Sequence, residues 1–141
     1  MINDIIDAIS VRLDGEFGNE YNIYKEKVEQ GFKIPSFYIK CLEHSRKKIS
    51  IGRYYSINHF DIHYFSGTQN INDDNYSVAD RISSVMEQIA LLNGDIALGS
   101  NMSHHLEDGV LHFLVNFNVT LKNVETEQDM MEIIKTTVKE T

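Results

Sequence analysis

One cysteine, one proline and no tryptophan leave this 141-residue chain few of the devices that staple or punctuate a small fold. Cys41 has no second cysteine to pair with, so an internal disulfide is excluded, and the protein is expected to be made and to work in a reducing cytoplasm. Long apolar runs are missing too. The longest, Ile89-Ala90-Leu91-Leu92, falls far short of the ~20 residues that span a bilayer. Met1-Ile2-Asn3-Asp4 carries neither the basic nor the apolar part of a secretory signal. Positive charge is also scarce, with 13 Lys and Arg against 21 Asp and Glu and a net charge of −8. A groove that grips nucleic acid needs clustered cations to displace counterions, so specific DNA binding and attachment to an acidic membrane are both disfavoured. Glycine-rich phosphate loops, nucleophile elbows and spaced cysteine pairs are absent as well. No catalytic residue, cofactor or resident metal is therefore assigned, and the chain is not expected to be an enzyme.

What is present is a hydrophobic fraction of 42%, enough for a real core in one α+β domain over residues 1–141. Ile2, Ile5, Ile6, Ile9 and Leu13 recur at three-and-four spacing and predict a helix from Ile2 to Phe17, ended by Gly15 or Gly18. Tyr21 to Tyr24 reads as a short strand, and Ser36 to Leu42 as a second, with Phe37, Ile39 and Cys41 on one face. A basic loop through Arg46, Lys47 and Lys48 turns at Gly52 into a third strand, Arg53 to Phe65, which would reach about 43 Å. After a polar loop over 66–75, Val78, Ile82, Val85, Met86, Ile89 and Leu92 form a helical stripe, and Asn93-Gly94 marks its stop. Ile96, Leu98 and Met102 suggest a fourth strand. Glu107-Asp108-Gly109 is a turn, and Val110 to Lys122 alternates as a half-buried antiparallel strand. Thr126 to Val138 has the pattern of a last amphipathic helix.

The expected fold is thus an antiparallel sheet of about four to five strands, two of them very long, packed with amphipathic helices. The order is helix, strands, helix, hairpin, helix. Strands this long outrun a core of this size, and copies of the same chain are the economical way to complete them.

Three clusters invite a chemical reading. His59, Asp61 and His63 share one strand face, and with a further ligand from His104, His105 or His112 they would suit a small metal-dependent enzyme. Same-face strand residues tend to run parallel without converging, and surface or hydrogen-bonded histidines are the simpler account. Cys41 lies mid-strand among apolar neighbours and reads as a small hydrophobe, not a nucleophile. Asp73-Asp74 reads as cap and turn. The basic residues Arg46, Lys47, Lys48 and Arg53, with Tyr54 and Tyr55, form either a solvated loop or a subunit interface that meets an acidic patch on the next copy.

Three stretches resemble the phage tail terminator family. Gly31-Phe32-Lys33-Ile34-Pro35-Ser36-Phe37-Tyr38-Ile39 is similar to the entry into the first long strand of those proteins. Arg53-Tyr54-Tyr55 with Phe60-Asp61-Ile62-His63-Tyr64-Phe65 is similar to their central strand, and Asp108-Gly109-Val110-Leu111-His112-Phe113 to their final hairpin. The likeness runs in order over residues 1–122, although Ser66-Gly67 stands where the family usually places a proline. It implies a structural virion protein with no catalytic residues. Copies would form a homohexameric ring at the head-proximal end of the tail, assembled in the host cytoplasm. The ring would meet the tail tube protein, the head–tail connector or neck protein and, in a contractile tail, the sheath protein, and DNA would pass through without specific binding. Another neck or tail-completion protein of a phage or bacteriocin-like particle is the nearest alternative.

Overall fold

In the computed structural model, which describes residues 1–28 and 30–122, the apolar stripe of the N-terminal segment winds into α1, Ile2–Phe17. Ile5, Ile9 and Leu13 are fully buried along it. Gly18 ends the helix at φ 84°, and its N–H donates to the Asp14 carbonyl at 2.9 Å. The remaining elements are β1 (Asn22–Tyr24), β2 (Ser36–Ser50), β3 (Arg53–Phe65), α2 (Ile71–Val85), β4 (Gln88–Ala90), β5 (Ile96–Glu107) and β6 (Val110–Lys122). They form one six-stranded sheet in the order β1-β2-β3-β6-β5-β4.

The sheet differs from expectation in several ways. It has six strands and is mixed, because β1 runs parallel to β2 while the other pairs are antiparallel. A parallel neighbour needs a crossover, and residues 25–35 supply one that no sequence pattern announced. The stretch through Arg46, Lys47 and Lys48 is not a loop but the outer half of β2, paired residue for residue with β3. Its side chains are exposed on both faces, so it lacks the alternation by which a strand is recognised.

The second helix begins at Ile71 and ends at Val85, earlier at both ends than its stripe suggests. Ile89 is buried in β4, whereas Leu92 is 85% exposed. Asn93-Gly94 closes the β4–β5 hairpin, with Gly94 at φ 91° and the Leu91 N–H donating to the Asp95 carbonyl at 2.8 Å. The same dipeptide serves a helix stop or a hairpin turn, and here the sheet takes it. Gly99 makes this possible: its N–H donates to the Glu87 carbonyl at 2.9 Å, and a β-carbon there would overlap the Met86 carbonyl oxygen. The expected C-terminal helix lies outside the described residues.

Period two decides the rest. Phe37 and Ile39 of β2, Phe60, Ile62 and Tyr64 of β3, and Leu111, Phe113, Val115 and Phe117 of β6 all face one side. With Ile5, Ile9 and Leu13 of α1 and Val78, Ala79 and Ile82 of α2 they make the core. The helices themselves are tied by reciprocal arginines. Arg12 Nε donates to the Val85 carbonyl at 3.1 Å, and Arg81 Nη2 to the Glu16 carbonyl at 2.9 Å, each cation meeting the negative end of the other helix. A helix the length of α1 reaches about 24 Å, roughly half the span of β2 or β3. The outer parts of β2 and β3, with β6 beside β3, therefore run past the described helices α1 and α2, and the β2–β3 end is here called the arm.

Candidate functional site

The arm holds all six residues singled out as an interface. Register pairs Arg46 with Ser56, Lys47 with Tyr55, Lys48 with Tyr54 and Ser50 with Arg53, and Gly52 makes the turn at φ 74°. Arg46 lies over the Tyr54 ring, 4.2 Å from its centroid. Leu42, Ile49 and Ile51 are each at least half exposed beside these cations, so the arm offers apolar and basic surface together. β1 pairs with β2 only from Ser36 to Tyr38, so among the described residues the outer edge of β2 along the arm has no neighbouring strand. Beneath the arm the buried residues turn polar. Asn58 Nδ2 donates to Ser56 Oγ at 2.8 Å and to the Phe117 carbonyl at 2.9 Å, and its Oδ1 lies 2.5 Å from His44 Nδ1. No sequence signal marked Ser56 and Asn58 as buried, because each stands at a core-facing position with a polar side chain.

On the face opposite α1 and α2 the histidines regroup. His59 turns to Asn116 Oδ1, with Glu43 3.9 Å from its other nitrogen, and leaves the expected trio. His104 pairs in register with Phe113 and stays exposed. The group that does converge is Asp61, His63 and His112. His63 Nε2 and His112 Nδ1 each lie 3.0 Å from Asp61 Oδ2. His63 and His112 are direct partners across β3 and β6, their ring centroids 4.3 Å apart. His105 stacks on His112 at 5.0 Å and 6°, as the Glu107↔Val110 turn register requires two residues further along each strand. Burial pushes the Asp61 carboxyl up, but hydrogen bonds and charge from His63 and His112 outweigh it and hold the group below the usual carboxylate range.

The other candidates are structural. Cys41 is half-buried against the core, with Sγ 3.6 Å from the Glu43 carbonyl, and burial raises its thiol despite that bond, which disfavours the thiolate. Asp74 accepts hydrogen bonds from Tyr64 Oη and Ser66 Oγ, both at 2.6 Å, so it anchors the first turn of α2 to the end of β3.

Curated protein sequences give no match. The sequence model of one family, described as phage tail terminator protein, matches residues 4–130, from the first turn of α1 through the arm, the histidine face and β6. That match spans most of the sequence, and the chain belongs to the phage tail terminator family, whose members are structural proteins of the tail.

Proposed function

We propose that copies of this chain close into a homohexameric ring at the head-proximal end of the tail tube. The ring stops tube polymerisation and presents its other surface to the head–tail connector. In a contractile tail the sheath protein is a further neighbour, and DNA passes through the lumen without specific contacts. The work is done by interfaces and involves no turnover.

The observation that carries this reading is the arm. Arg46, Lys47, Lys48 and Arg53 gather at its outer end on a chain whose net charge is −8. Tyr54, Tyr55, Ile49 and Ile51 lie among them beside the outer edge of β2. Such a surface complements the acidic body of a second copy, and charge complementarity fixes register and partner choice. The excess negative charge elsewhere would also keep DNA sliding through a ring.

Size-exclusion chromatography with light scattering, and negative-stain imaging with purified tail tubes, test the proposal. A ring in solution or a cap on one end of each tube is expected. A protein that stays monomeric and never associates with tubes would reject it.

A further inference from the structure

We propose that Asp61, His63 and His112 form a binding site for one divalent transition-metal ion of the zinc class, cross-linking β3 to β6 on the face of the sheet opposite α1 and α2. Alternation along β3 groups His59 with Asp61 and His63, whereas the strand register puts His112 there.

Geometry is the first support. Zinc-class ions bind imidazole nitrogen and carboxylate oxygen at about 2.0–2.1 Å, so neighbouring ligand atoms of a tetrahedral site lie about 3.3 Å apart. Here both ring nitrogens stand 3.0 Å from the same carboxylate oxygen, and the three ligand atoms all lie within 4.8 Å of one another. An ion would take the place between the two ring nitrogens and the oxygen they already share.

An unsatisfied carboxylate oxygen is the second. Asp61 is only 7% exposed, yet its Oδ1 has no hydrogen-bond partner among the described residues. A buried carboxylate oxygen left unpaired is costly, and one beside two ring nitrogens suits a cation.

The surroundings fit as well. His112 turns Nδ1 to Asp61, and its Nε2 lies 3.9 Å from Glu107 Oε2, which places a carboxylate behind a ligand histidine. His105 stacked on one side of His112, and Tyr38 edge-on to His63 at 5.2 Å, restrict both rings. Lys40 stands opposite Asp61 in register but is exposed and makes no ion pair with it, so among the described residues no lysine or arginine fills the place. A cleft of about 340 Å³ between Tyr24, Phe32, Tyr38 and His63 gives access from solvent. Two imidazoles with one carboxylate select a zinc-class ion over magnesium or calcium, which prefer oxygen throughout. Water completes the coordination.

The test uses the full chain, purified without a histidine tag and stripped with chelator. It is titrated with Zn²⁺ by calorimetry and with Co²⁺ by visible absorption. One equivalent of each ion, the strong visible bands of four-coordinate cobalt and a raised melting temperature with Zn²⁺ are expected. His63→Gln and His112→Gln should each weaken binding at least ~100-fold, and Glu107→Gln about tenfold, in line with the loss of an outer-shell partner. His59→Gln and His104→Gln should bind as the parent does. Circular dichroism checks that each variant folds. Because both decisive changes fall on partly exposed rings, the result does not depend on whether Asp61→Asn folds. No stoichiometric uptake by the parent, uptake unaffected by His112→Gln, or uptake lost in His59→Gln would overturn the assignment.

Discussion

Arg46 and Tyr54 face each other diagonally across the β2–β3 arm, the guanidinium 4.2 Å from the ring centroid. An exposed cation–π contact of this kind stabilises by about 0.5–1 kcal/mol, too little for the fold to depend on it. Combined Arg46→Glu, Lys47→Glu and Lys48→Glu reversal should therefore leave the melting temperature within a few degrees of the parent while abolishing ring formation on light scattering. Hexamers that survive these changes, and Arg53→Glu added to them, would remove the arm from the interface. Assembly of the parent should also weaken as salt rises, since screening acts on exposed charge first.

Arg81 joins the helices through three contacts: Glu16 Oε1 at 3.0 Å, the Glu16 carbonyl at 2.9 Å, and the Phe17 ring at 4.1 Å. The exposed carboxylate pair adds little, whereas the carbonyl and ring contacts bear on packing. Arg81→Ala should lower stability by about 1–2 kcal/mol in urea unfolding. Arg81→Lys should recover part of it, because an ammonium cannot make both nitrogen contacts at once.

Gly99 and Gly94 separate two reasons for glycine. A β-carbon on Gly99 would run into the Met86 carbonyl, while Gly94 has open space around it but a φ of 91°. Gly99→Ala should cost about 2–3 kcal/mol by overpacking, and Gly94→Ala about 1 kcal/mol by backbone strain. Urea midpoints in the reverse order would contradict the close approach of the end of α2 to β5.

Alkaline pH should find Tyr64. Burial, and then the Asp74 carboxylate that accepts its hydrogen bond, raise the phenol well above its ordinary value of 10.0. A group favoured as neutral in the fold contributes stability that is complete below its unfolded value and declines as pH climbs beyond it. Stability should accordingly be flat in this respect up to about pH 10 and fall above it. Tyr64→Phe, less stable at neutral pH through the lost Asp74 bond, should lose less stability over the same alkaline range. Parallel losses in the two proteins would show that Tyr64 is not the titrating group.

Amphipathic pattern made much of this fold legible. The bounds of α1, β3 and β6 follow from Ile5, Ile9 and Leu13 at helical spacing and from unbroken alternation through Phe60–Tyr64 and Leu111–Val119. Where burial does not impose a period, reading failed. The outer half of β2 has no inward face to write into its sequence, and the helical stripe ran on through Ile89 because a short buried strand needs the same residue. The histidine face shows a different limit. Alternation told that His59, Asp61 and His63 share a side, but only register decides which strand lies opposite, and the β3–β6 register brought in His112 while Asn116 drew His59 away. The basic cluster at Arg46, Lys47, Lys48 and Arg53 was legible as a cluster, although its place on paired strands was not.

The bulge between Cys41 and Glu43, with Lys40, Arg46, Lys47 and Lys48 along the rim of β2, bears on what this chain must avoid. A smooth, apolar sheet border recruits identical neighbours one after another and grows into fibre, whereas a kinked border studded with like charges repels its own kind when brought alongside. A tail component with such a border is thereby guarded against nucleating a fibre of its own.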